Sequence, residues 1–86
     1  MNYIYKVKHE NENSNVREYV CSSIEKAQAY KMEQIVIHTR RMIRLSSQVE
    51  GGKIRYSSRG YRRVSNMQEE TEAFINGFII EKVWVA

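Results

Sequence analysis

The sequence predicts an α+β fold: a small antiparallel sheet packed on one longer and one short helix, in the order β-β-α, a basic hairpin-like insert, then α-β. Three observations predict it. Residues 2–9 alternate apolar and polar side chains, the two-residue period of a strand. Ser22-Ser23-Ile24-Glu25 has the form of a helix capping box and is followed by apolar residues at helical spacing. Phe78 to Val85 is the most apolar stretch of the chain and directly follows a glycine that can end a helix.

In the first strand Tyr3, Tyr5 and Val7 share one side, and Lys6 and Lys8 the other. Glu10 to Asn15 is rich in residues that hydrogen-bond their own backbone and is expected to turn the chain. Val16 to Cys21 is expected to return as the second strand of a hairpin. In the capping box Ser22 would accept from the Glu25 amide, opening a helix from Ser23 to about Leu45. Its apolar positions Ile24, Ala27, Met32, Ile35, Val36, Met42 and Ile43 read as one stripe. A helix reaching Glu50 would be about 42 Å long, more than a compact domain of this size covers. Gly51-Gly52 is therefore read as a hairpin turn or an early helix end. Asn66 is expected to cap a second helix that Gly77 ends, and Phe78 to Val85 to form a central strand beside the first, covered on both faces.

Eighty-six residues support one core, so a single domain over 1–86 is expected, with the basic insert at 46–64. Cys21 is the only cysteine. That rules out an internal disulfide, argues against a closed zinc site and suits a reducing cytoplasmic compartment. Met1 to Lys6 lacks the basic and long apolar segments of a secretory signal, and no apolar run approaches a membrane span, so a soluble protein with no membrane partner is expected.

Charge is the most informative property. Net charge is +4, yet Arg40 to Arg63 alone holds eight Lys or Arg and one acid, Glu50. A concentrated basic segment makes a local potential that the net charge understates. Within it, Lys53 to Arg63 interleaves guanidinium groups, hydroxyls, aromatics and a glycine. Arginine forks match phosphate oxygens, tyrosines can stack on bases, and Gly60 permits close backbone approach. The candidate ligand-binding residues are Arg55, Tyr56, Ser58, Arg59, Tyr61, Arg62 and Arg63, extended by Arg40 and Arg44 one turn apart on the first helix. The same composition also suits a plain solvated face, or a surface that docks on an acidic protein.

His9 and His38 fall in different predicted elements with no acid placed to form a dyad, and Cys21 ends an apolar strand and reads as a small buried side chain. No metal-ligand spacing, P-loop or dinucleotide fingerprint occurs, so no catalytic residue, metal or cofactor is expected. Trp84 and the tyrosines at 3, 5, 19 and 30 read as core or subunit-contact residues, and an open sheet of this size favours a homo-oligomer. Trp84 or Ile80 to Ala is expected to cost roughly 2–5 kcal/mol.

In its length, its β-β-α opening from Tyr3 to Leu45 and its basic insert from Lys53 to Arg63, the chain resembles the small, proline-free accessory proteins of bacteriophages. That resemblance implies a non-enzymatic inhibitor or sponge. The function expected is thus binding of a phosphate-bearing ligand, nucleotide or nucleic acid. The alternative is an inhibitor docking its basic surface on an acidic or nucleic-acid-binding host or defence protein.

Overall fold

The computed structural model describes residues 2–54 and 59–85. Its elements are β1 (Asn2–His9), β2 (Tyr19–Cys21), α1 (Ile24–Glu50), α2 (Arg59–Ser65), α3 (Met67–Asn76) and β3 (Phe78–Val85). The strands form one antiparallel sheet in the order β2-β1-β3. The fold is α+β, as the periodicities predict.

Polar residues make the first turn. The Asn11 side-chain oxygen accepts from the Asn13 amide at 3.0 Å, Ser14 Oγ accepts from Val16 at 3.3 Å, and Asn15 takes the left-handed φ of 65° that asparagine tolerates. The return strand is shorter than expected, beginning at Tyr19 rather than Val16. Its register sets Cys21 opposite Tyr5 and Tyr19 opposite Val7. On the other side of β1, Val7 faces Ile80, His9 faces Phe78 and Tyr3 faces Trp84. One sheet face therefore gathers Tyr5, Val7, Cys21, Phe78 and Ile80. Val7, Cys21 and Ala27 form the buried cluster, with Tyr5, Ile24, Tyr30, Phe78 and Ile80 packed against it.

Four expectations are corrected. First, β1 is the central strand, and β3 is an edge. The hairpin occupies one side of β1, so β3, returning from α3 through Gly77, takes the other and is the outermost strand. Its second face carries charge and no helix among the described residues: Lys8 Nζ lies 2.8 Å from Glu81, and on neighbouring β1 Lys6 Nζ lies 3.9 Å from Glu18. Trp84 is 54% exposed, resting edge-on against Tyr3 at 4.8 Å.

Second, α1 runs unbroken to Glu50, through Ile35-Val36-Ile37, and Gly51-Gly52 is its C-terminal turn rather than a hairpin. The Gly51 amide donates to Ser47 O at 2.9 Å, Lys53 N donates to Gln48 O at 2.9 Å, and Gly52 supplies a φ of 70°. Compactness misled the sequence reading, because the molecule is elongated, 56 × 18 × 17 Å, with about 40 Å of helix along it. Third, the insert from Arg59 to Ser65 is the helix α2, not extended chain. Fourth, α1 is capped by Ser23 rather than Ser22. Ser23 is extended, and its Oγ accepts from the Lys26 amide at 3.2 Å, while Ser22 Oγ accepts only from Lys26 Nζ.

The N-terminal half of α1 lies on β1 and β2, and its C-terminal half meets α2 and α3. Met42 is almost wholly buried there, its sulfur 3.6 Å from Arg63 Nη2. Among the described residues no helix is long and apolar enough to cross a membrane.

Candidate functional site

A cleft of about 650 Å³ opens where the β1–β2 turn, α1, α2 and α3 come together. From α1 it takes Gln34, Ile37, His38 and Arg41, residues at helical spacing on one side. From α2 it takes Arg59 and Arg63, and from α3 Glu70, Ala73 and Phe74. His9 closes one end, and Glu10, Asn11, Asn13, Ser14, Asn15 and Val16 form the polar wall. Three guanidinium groups thus share the cleft with two carboxylates.

Phe74 organises its floor. Both histidines stack on this ring, His38 at 4.2 Å and 8° between planes, His9 at 5.0 Å and 24°. His9 is fixed through both nitrogens: Nε2–H donates to the Phe74 carbonyl at 2.8 Å, and Nδ1 accepts from the Asn11 amide at 3.0 Å. Gly77 makes this possible. A Cβ at that position would overlap the His9 ring.

His38 differs. It is 8% exposed, and its Nε2 has no hydrogen-bond partner among the described residues. Burial, then the Arg63 guanidinium, hold its pKa below the ordinary 6.5, with Glu70 opposing and Arg41 and His9 adding to the depression. An unpaired buried polar atom costs free energy, and this one belongs to a residue that lines the cleft.

The structure divides the residues named from the sequence. Arg59 and Arg63 line the cleft. Arg40 and Arg44 are exposed on α1 and Arg62 on α2, none of them among the cleft-lining residues. Tyr61 is half-buried on α2. Arg55, Tyr56 and Ser58 lie outside the described residues. Sequence reasoning left Arg41, His38 and His9 out of the candidate site, Arg41 although it stands in one helical cluster with Arg40 and Arg44. A signal existed for His38, which stands one turn before Met42 and three turns after Ala27, on the buried stripe. His9 had none, because its neighbours Phe74 and Gly77 come from the other end of the chain. No group of three or more metal-ligating side chains occurs among the described residues. Compared with known protein families, curated proteins and solved structures, the chain matches none.

Proposed function

We propose that this cleft binds a small phosphate-bearing ligand of nucleotide size, and that the protein holds this ligand without transforming it. The observation that carries the reading is the meeting of Arg41, Arg59 and Arg63 with the unpartnered, buried His38 Nε2 in one cleft. Arginine forks bond phosphate oxygens in pairs, and about 650 Å³ lies in the range of small-molecule sites. A bounded cleft favours a nucleotide over nucleic acid, which needs a basic track along an open surface. Both imidazoles already stack on Phe74, so specificity for a base rests on the amide-rich wall from Asn11 to Asn15. Binding without turnover agrees with His9, whose two nitrogens are committed to the fold. It is also the sponge mode of the phage accessory proteins the sequence resembles.

Calorimetry with inorganic phosphate and nucleoside mono-, di- and triphosphates tests this. Arg41→Ala and Arg59→Ala change exposed side chains, and each is expected to weaken binding by about tenfold or more with unchanged melting. Arg44→Ala and Arg62→Ala should leave affinity within about twofold, since neither lines the cleft. Binding that no cleft arginine affects, or no binding across the panel, would remove the proposal.

A further inference from the structure

The side of α1 turned away from the sheet carries a second apolar row. Met32, Val36 and Ile43 are 58, 43 and 59% exposed. With Ala29, Thr39 and Ser46 they recur at alternating intervals of three and four residues. This is the heptad spacing that keeps one seam of a helix facing a partner helix. The Thr39 hydroxyl donates to the Ile35 carbonyl at 2.9 Å, so its methyl group is left for the seam. Glu25 and Glu50 hold the next heptad positions and end the seam with charge. Beside Ile43 the row runs into an apolar groove of about 290 Å³ between α1 and α3, lined by Met42, Met67 and Thr71 among others.

We propose that this seam is the interface of a homodimer in which two α1 helices pack antiparallel. Charge selects both the occupant and the direction. Glu33 and Arg40 flank the seam on one side, one heptad apart. With the two-fold axis between Val36 and Thr39, Met32 meets the partner's Ile43, Val36 meets the partner's Thr39, and Ala29 meets the partner's Ser46. Glu33 then faces the partner's Arg40, and symmetry makes the pair twice. A parallel pair would set Ile35 beside the partner's Arg40 and Gln28 beside the partner's Glu33, joining no opposite charges. The seam is self-complementary only in the antiparallel sense. None of its residues lines the anion cleft, so both clefts stay open in the dimer.

Sedimentation equilibrium of the full chain over the micromolar range tests the proposal, with a dimer expected. Met32→Glu with Ile43→Glu should give a monomer with an unchanged far-UV dichroism spectrum. The exposed flanking charges provide a second test that spares the apolar residues. Glu33→Arg and Arg40→Glu should each weaken the dimer by roughly 2- to 30-fold, and the two together should restore it. A wild-type monomer at every concentration, whatever other protein it captures, would overturn the proposal, as would a dimer indifferent to the seam substitutions. A double charge reversal no tighter than the single ones would overturn the antiparallel arrangement.

Discussion

One helix builds two unlike interiors. Where α1 crosses the sheet it buries Ala27 against Val7 and Cys21, all apolar, with Ile24 and Tyr30 at the edges. Three to four turns further on it buries His38 and Met42 beside Phe74 and Arg63. The sheet end closes on itself: the Cys21 thiol, its weakest polar group, reaches carbonyls of Ser23 and Tyr5 at 3.4 and 3.7 Å. The helical end leaves an imidazole nitrogen unpaired, and three arginines line the cleft that His38 also lines. Like charges held near an unpaired polar atom weaken a fold, and they are tolerated where a ligand can complete them. The sheet end is a closed apolar core, and the helical end is where the proposed ligand would sit.

Met42→Ala should break the helical end with the largest effect. Met42 is 1% exposed and joins α1 to α2, and truncating a buried methionine costs about 2–5 kcal/mol. Denaturant titration measures the loss, and ligand binding should fall with it because α2 brings Arg59 and Arg63. A variant that melts like wild type would show that the far end of α1 does not need α2.

Gly77→Ala should cost somewhat less, roughly 1–3 kcal/mol, as an added methyl forces the His9 ring away. The backbone of Gly77, with φ −81°, suits any residue, so the cost is one of space. The His9 Nε2 resonance should report loss of the Phe74 hydrogen bond, and an unmoved resonance would contradict the clamp.

What the sequence made legible follows from the range of each signal. Alternation in β1, the Asn-rich turn and the cap near Ser23 are local, and all three appeared within a residue or two of where they were read. The extent of α1 was lost to an assumption about global shape. Its apolar residues were also merged into one stripe, whereas Ala27 and Met42 face the interior and Met32, Val36 and Ile43 face out. Two rows more than 100° apart on one helix are two separate faces rather than one wide core stripe. The cleft was half legible. A count of charge finds Arg59 and Arg63, but no local rule places His9 of β1 against Phe74 of α3, a separation of 65 residues.

Trp84 tests that lesson with a smaller effect. Hydrophobicity alone placed it in the core and predicted a loss of several kcal/mol. Its exposure and its edge-on contact with Tyr3 reduce the expected cost of Trp84→Ala to about 0.5–1.5 kcal/mol, the worth of an aromatic pair. A loss as large as that of Met42→Ala would mean that the sheet end extends further than β1 and β3 show.

The smallest effect, on pH, separates the two ends most directly, because His38 titrates at only one of them. In the folded protein its pKa lies below 6.5, chiefly through burial and then through Arg63 on α2, with Arg41 on α1 and His9 on β1 acting the same way and Glu70 on α3 against them. In the pH window just under 6.5 the unfolded chain therefore binds a proton that the folded chain refuses. Stability from this residue is present above that window and is lost as pH falls through it. A phosphate-bearing ligand reverses the sign at the site, since an anion beside Nε2 favours the protonated ring. Affinity should then rise over the same pH interval in which the free protein loses stability. His38→Phe, which keeps an aromatic ring to stack on Phe74, should flatten both trends. Thermal melts with and without sulfate, a tetrahedral anion whose charge is constant between pH 5 and 8, measure the pair, and an affinity that falls with acid in the wild-type protein would place the anion away from His38.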